Sequence, residues 1–148
     1  GAGGSARAVI YGLNERGARV RIFARDVNKA RALADAVGVA ALPLDALAAS
    51  DAEIIINTTP VGMRGHSEAH SPVPRAALRN RPIAFDLIYN PMETRFLQEA
   101  RAAGCQTISG IDMLITQAAL QFAFWTGQRP PLEILWAAVA EKLTPPEA

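Results

Sequence analysis

The chain has 148 residues, 50% of them hydrophobic and 20% charged, with a formal net charge of +1. That apolar fraction argues against wholesale disorder, and the near-neutral balance against a dedicated nucleic-acid binder. No apolar run reaches the roughly 20 residues needed to span a bilayer, and no signal peptide is visible.

The chain opens on Gly1-Ala2-Gly3-Gly4, a loop signature. Ser5 to Glu15 reads as a helix stopped by Gly17, and Val20 to Ala24 as a short strand. Val27 to Val37 carries Ala30, Leu33, Ala34 and Val37 on one helical face, with Gly38 as C-cap. A brief strand is expected at Val39 to Leu42, and a short helix from Pro43 to Ala49. Glu53 to Asn57 holds Ile54-Ile55-Ile56, a run suited to a buried parallel strand. Thr58 to Pro74 is rich in Gly, Pro, Ser and His and reads as a long loop. Pro82 to Ile88 is a further strand, Glu93 to Ala103 an amphipathic helix closed by Gly104, and Gln106 to Ser109 a last short strand. Two helices follow, Ile111 to Thr126 and Leu132 to Leu143. Strands separated by helices predict βαβ units, hence an α/β fold with a parallel sheet covered on both faces.

Gly1-Ala2-Gly3-Gly4-Ser5-Ala6 fits the pattern G-x-G-x-x-G/A at the mouth of a helix. Glycines there let the backbone approach a pyrophosphate, which rests on unpaired N–H groups at the positive helix end. An ordinary Gly-rich loop fits the same six residues; the strand at Val20 to Ala24 favours a dinucleotide site. The end of that strand bears on which dinucleotide. An acid would accept from the 2′-hydroxyl of NAD, and a cation would hold the 2′-phosphate of NADP. Arg25 presents a planar fork, and Lys29 follows one helical turn later. Both point to NADP, with NAD the lesser choice. Asp26, between them, either caps the next helix or discriminates against phosphate.

Asn57-Thr58-Thr59-Pro60-Val61-Gly62-Met63 and Asp86-Leu87-Ile88-Tyr89-Asn90-Pro91 each end a buried strand, where ligands bind in open α/β sheets; each also suits a plain turn. Gln117, like Thr116 and Gln121, is polar in an otherwise apolar helix. His66 and His70 are four apart, but Gly65 and Pro72 argue against the helix that would make them a metal pair, so solvated loop histidines and no metal site are expected. The single cysteine, Cys105, reads as apolar filler, and a lone thiol fits a reducing cytoplasm.

Taken together, these spaced motifs resemble shikimate dehydrogenase, specifically its C-terminal NADP-binding domain, over nearly the whole chain. The carriers are the Gly1 to Ala8 loop, the Asn57 to Met63 and Asp86 to Pro91 segments, Thr94, Leu97 and Ala100, the run from Gly110 through Met113-Leu114 to Gln117-Ala118, and Phe122 with Trp125-Thr126-Gly127. The resemblance implies a Rossmann-like, doubly wound parallel sheet, and the reversible NADPH-dependent reduction of 3-dehydroshikimate to shikimate in aromatic amino-acid biosynthesis. It implies a cofactor site at Gly1, Ala2, Gly3, Gly4, Ser5 and Ala6. Arg25 and Lys29 would clamp the 2′-phosphate, Thr58, Thr59 and Pro60 would lie along the cofactor, and Gly110 and Met113 would lie near the nicotinamide. Tyr89 and Gln117 would touch substrate. Where the family often has Asn-Arg-Thr, this chain has Ala24-Arg25-Asp26, so a quinate/shikimate dehydrogenase with relaxed NAD/NADP choice is a close variant.

The family's proton-donating lysine and its aspartate partner precede the glycine loop. The only lysines here are Lys29 and Lys142, neither placed to serve a nicotinamide, so no catalytic residue is expected within the chain. Residues 1–148 are read as the cofactor domain with its C-terminal helices, inactive alone, the substrate-binding N-terminal domain and the strand before Gly1 lying elsewhere. Three rivals remain: another enzyme with a related NADP domain, a non-catalytic nucleotide-binding module, and an inert fragment. Phe122, Phe124, Trp125 and Trp136 are expected to promote self-association if exposed.

Overall fold

The computed structural model describes residues 1–143, which form five α-helices and five strands, every strand pairing being parallel. They are α1 (Gly4–Asn14), β1 (Arg21–Ala24), α2 (Val27–Val37), β2 (Ala40–Pro43), β3 (Ile54–Asn57), β4 (Ile83–Asp86), α3 (Arg95–Ala102), β5 (Thr107–Ile108), α4 (Gly110–Thr126) and α5 (Leu132–Leu143). Their boundaries follow local chemistry. Asp26 caps α2 by accepting from the Lys29 N–H at 3.0 Å, and Gly38 ends it in the left-handed region at φ 71°. Ser109 and Asp112 form a reciprocal capping box at the start of α4, and Gly127 ends that helix at φ 70°.

Three expectations are adjusted. The short helix near Pro43 is a 3-10 turn over Leu44–Ala49, with Pro43 extended at its N-cap rather than inside it. Helix α3 begins at Arg95, because the Thr94 hydroxyl takes the capping position by accepting from the Leu97 N–H. A second 3-10 turn, Arg75–Leu78, stands where no element was expected.

Strand β1 pairs with β2, and β3 with β4, which pairs with β5. Alternation along each strand sorts the side chains to two faces. Ile22 and Ala24 pack with Ala6 and Ile10 of α1 and with Ala30, Leu33 and Ala34 of α2. Phe23 turns the other way, against a second core built from Leu47, Ile55, Val73, Leu78, Ala84, Phe96 and Leu97. Cys105 is buried in that second core, the filler role its sequence context suggested. Helices therefore cover both faces, as in a doubly wound Rossmann-like sheet. The ladder is interrupted between β1 and β3, whose facing edges are not hydrogen-bonded to each other.

Candidate functional site

A cleft of about 1470 Å³ runs the length of the gap between β1 and β3 and reaches their carboxyl ends beside the amino end of α1. Gly1, Ala2, Gly3 and Ala6 of the glycine loop line it, as do Arg25, Asp26 and Lys29 across the gap and Thr58, Thr59 and Pro60 after β3. No side chain caps α1, and no acidic residue sits in its first turn. Its first N–H groups and positive dipole end are thus available to an anion. A Cβ built on Gly3 or Gly4 meets nothing within 4 Å. These two glycines are not required by protein packing; they leave bare backbone facing open space, a cradle suited to a pyrophosphate. Gly1 differs. A Cβ there would meet Thr59 Cγ2 at 2.8 Å and Thr58 Oγ1 at 2.9 Å, so only glycine lets the loop lie this close to the end of β3.

Arg25 and Lys29 are exposed, and among the described residues neither side chain pairs with a carboxylate. Two cations beside a large cleft, uncommitted to the fold, are suited to a phosphate group. Asp26 does cap α2, the plainer of its two expected roles, and it lines the same cleft.

A buried polar cluster braces this region. Asn57 and Asp86 stand in register at the ends of β3 and β4. The Asp86 carboxylate accepts from Asn57 Nδ2 at 3.0 Å, the Ile88 N–H at 3.0 Å and the Thr94 hydroxyl at 2.7 Å. Asn57 Oδ1 accepts from both the N–H and the hydroxyl of Thr59. The cluster therefore ties the Thr58–Pro60 segment to the β4 end and to the cap of α3. Burial pushes the Asp86 carboxyl above the usual aspartate range, against the lowering effect of its three donors. Sequence reading quoted these residues without assigning them this bracing role. The available signal was a polar residue ending each of two successive apolar strands.

The other expected site residues gather elsewhere. Gly4 and Ser5 are exposed in the first turn of α1 rather than lining the cleft. Met113 and Gln117 border a smaller hollow of about 500 Å³ between α4 and the sheet residues Phe85 and Ile108. Tyr89 lies just past β4 and is 46% exposed, its ring free of the core. Gly110 is buried, and a Cβ on it would lie 2.3 Å from the Ile88 carbonyl oxygen. That contact sets the start of α4 directly against the segment leading to Tyr89. His66 and His70 are exposed on the loop after β3, and among the described residues no cluster of His, Cys, Asp and Glu could hold a metal. Among those residues, too, no helix is long and apolar enough to cross a membrane.

Comparison with known proteins gives this geometry a family context. The model described as "Shikimate 5'-dehydrogenase C-terminal domain" matches residues 110–140. The model described as "NADP oxidoreductase coenzyme F420-dependent" matches residues 1–69. A shikimate dehydrogenase (NADP(+)) of Oleidesulfovibrio alaskensis is 41% identical over 146 residues, covering 97% of this chain and 52% of that protein. The solved shikimate 5-dehydrogenase of Thermus thermophilus, in complex with NADP(H) and shikimate, superposes with a TM-score of 0.85 at 36% identity, covering 97% of this chain and 53% of the other. A quinate dehydrogenase from Corynebacterium glutamicum in complex with NAD superposes with a TM-score of 0.80 at 30% identity, covering 95% of this chain and 51% of the other. The chain spans about half the length of the relatives it matches. By motif order, sequence identity and fold, the chain is similar to the shikimate dehydrogenases over nearly all of its own length.

Proposed function

We propose that this chain is the NADP(H)-binding part of a shikimate dehydrogenase, which reduces 3-dehydroshikimate reversibly to shikimate. The observation that carries the reading is the single cleft that joins the uncapped, glycine-faced end of α1 to Arg25 and Lys29. In this reading the α1 amides hold the pyrophosphate, and Arg25 and Lys29 hold the 2′-phosphate. Thr58, Thr59 and Pro60 flank the cofactor, and Gly110 and Met113 border the nicotinamide end. Tyr89 and Gln117 are the substrate contacts this chain contributes. Bound NADPH supplies a hydride for the ketone carbon. The proton for the developing alkoxide needs a separate donor, and neither lysine suits that role: Lys29 lies at the adenosine end of the cleft, and Lys142 is on α5. The donor and the rest of the substrate site therefore come from outside this chain, which is inactive alone. A cytoplasmic setting suits the single, buried thiol.

Titration of the purified chain with NADPH and NADH, followed by nucleotide fluorescence, tests the cofactor reading. NADPH should bind more tightly. The double change Arg25→Ala, Lys29→Ala should weaken NADPH at least about tenfold, on the order of 1.4 kcal/mol, and leave NADH nearly unchanged. Equal loss for both nucleotides would overturn the assignment of the clamp. Shikimate-dependent reduction of NADP by the chain alone would overturn the claim that its proton donor lies elsewhere. A second reading, a quinate/shikimate dehydrogenase with relaxed cofactor choice, rests on the Asp26 carboxylate lining the cleft beside Arg25. Equal affinity for the two nucleotides in the unmodified chain would favour it.

A further inference from the structure

At the end of β3, one side chain is engaged at every hydrogen-bonding position it has. Asn57 Nδ2 donates to the Asp86 carboxylate at 3.0 Å and to the Val61 carbonyl at 3.3 Å. Asn57 Oδ1 accepts from the Thr59 N–H at 2.9 Å and the Thr59 hydroxyl at 2.8 Å. An amide side chain has two donor hydrogens and two acceptor lone pairs, so none is left over. The Thr59 hydroxyl is engaged twice as well, since it also accepts from the Val61 N–H at 3.3 Å.

The orientation of that amide is dictated from β4. An ionised carboxylate only accepts, so Asn57 must turn Nδ2 toward Asp86. Its Oδ1 then faces Thr59 and draws in two donors. Turned over, the amide would set oxygen against oxygen at Asp86 and N–H against N–H at Thr59. Asp86 is itself fixed by the Ile88 N–H and the Thr94 hydroxyl. Burying a carboxylate opposes folding, and an apolar pair could close the two strand ends without that cost. What the ion adds is direction. The segment so directed borders the cleft and packs on the glycine loop, with Thr59 Cγ2 and Thr58 Oγ1 at 2.8 and 2.9 Å from where a Gly1 Cβ would stand. Among the described residues, the Thr58 hydroxyl makes no hydrogen bond of its own.

We propose that Asn57 is a positioning residue for the dinucleotide: directed by Asp86, it holds Thr59 and Val61 so that the unengaged Thr58 hydroxyl meets the bound cofactor. Asn57 is 3% exposed and acts through the segment rather than by contact. The proposal rests on the cofactor reading above and adds to it a residue behind the binding surface.

The test is a mutant cycle on the purified chain, read as NADPH affinity by nucleotide fluorescence, with circular dichroism to establish that each variant is folded. Asn57→Ala and Thr58→Val should each weaken NADPH at least about fivefold. Because one residue acts through the other, the double variant should fall within about twofold of the weaker single variant. Phe96→Leu, a core change remote from the segment, should lower the unfolding midpoint and leave the affinity unchanged. If Asn57→Ala does not fold, Thr59→Val takes its place in the cycle with the same expectations, since it removes only the hydroxyl that Asn57 holds. Unchanged affinity in Asn57→Ala, or losses that add in the double variant, would overturn the proposal. So would an equal loss in Phe96→Leu, which would tie affinity to stability alone. Absence of saturable NADPH binding by the unmodified chain would instead overturn the cofactor reading itself, and this proposal with it.

Discussion

At the scale of single residues, the most informative group is Asp86, fully buried and hydrogen-bonded to three donors. Every partner donates, so the geometry matches the ionised carboxylate, yet burial makes that ionisation costly and raises its pKa in the folded chain. A carboxyl whose folded pKa lies above its unfolded value stabilises the fold most below the unfolded value, about 4, and loses that contribution as pH rises through the folded one. The change Asp86→Asn removes the titration. Urea unfolding across a pH series should therefore show the native chain losing stability relative to the variant as pH climbs from about 4 through the raised value, with a constant difference above it. A difference that never varies with pH would show that Asp86 titrates alike in both states. The cluster around it marks the limit of what the sequence discloses about the site. The glycine loop and the Arg25–Lys29 pair are legible because each is local, a motif within one turn or one helix start. The bracing of Thr59 by Asn57 and Asp86 depends on the register of two strands some thirty residues apart, Asn57 opposite Asp86, and no local pattern encodes that register. Gly110 is similar: a Cβ built on it would lie 2.3 Å from the Ile88 carbonyl oxygen, a constraint visible only once α4 is docked.

Among the elements, α2 carries the one residue whose two sequence readings can be separated by experiment. The Asp26 carboxylate caps the helix through Lys29 N–H, and it also lines the cleft beside Arg25. The change Asp26→Ala removes both cap and charge, at a cost of about 1 kcal/mol of stability. The change Asp26→Ser keeps a capping hydroxyl and removes only the charge. If the carboxylate opposes a 2′-phosphate, both variants should bind NADPH more tightly relative to NADH, whereas only the alanine should lower the unfolding midpoint. Unaltered nucleotide preference in both would leave Asp26 with its capping role alone. Most other elements follow from the same kind of local signal. Helix α2 matches its expected limits because Asp26 and Gly38 punctuate it at both ends. The start of α3 moves from Glu93 to Arg95 because Thr94 serves the helix cap and the Asp86 carboxylate at once, a tertiary demand. The 3-10 turn at Arg75–Leu78 escapes periodicity altogether. It is a single turn, held by the burial of Ala77 and Leu78 in the core beneath the sheet.

For the whole molecule, the apolar surface of the last two helices holds the four aromatic residues flagged from the sequence, Phe122, Phe124, Trp125 and Trp136, all of them exposed. Only Gly110, Ile111 and Ile115 of α4 are buried, all in its first two turns. Beyond them Phe124 is 86% and Trp125 75% exposed, and Ile134 of α5 is 64% exposed. Burying one such side chain is worth roughly 1.5–3 kcal/mol, so a contiguous set of them favours association in water. The chain spans about half the length of its relatives, and we propose that this surface meets other protein in the full assembly and its own copies when alone. Light scattering should then show the purified chain as dimers or larger species. The double change Phe124→Glu, Trp125→Glu should shift it toward monomer without loss of helical circular dichroism, because neither side chain belongs to a buried core cluster. A monodisperse monomer in the unmodified chain would remove the case for self-association. An oligomer indifferent to both charges would place the contact elsewhere, with the open strand edges of the two sheets the next surface to examine, since they offer unpaired backbone as well as apolar area.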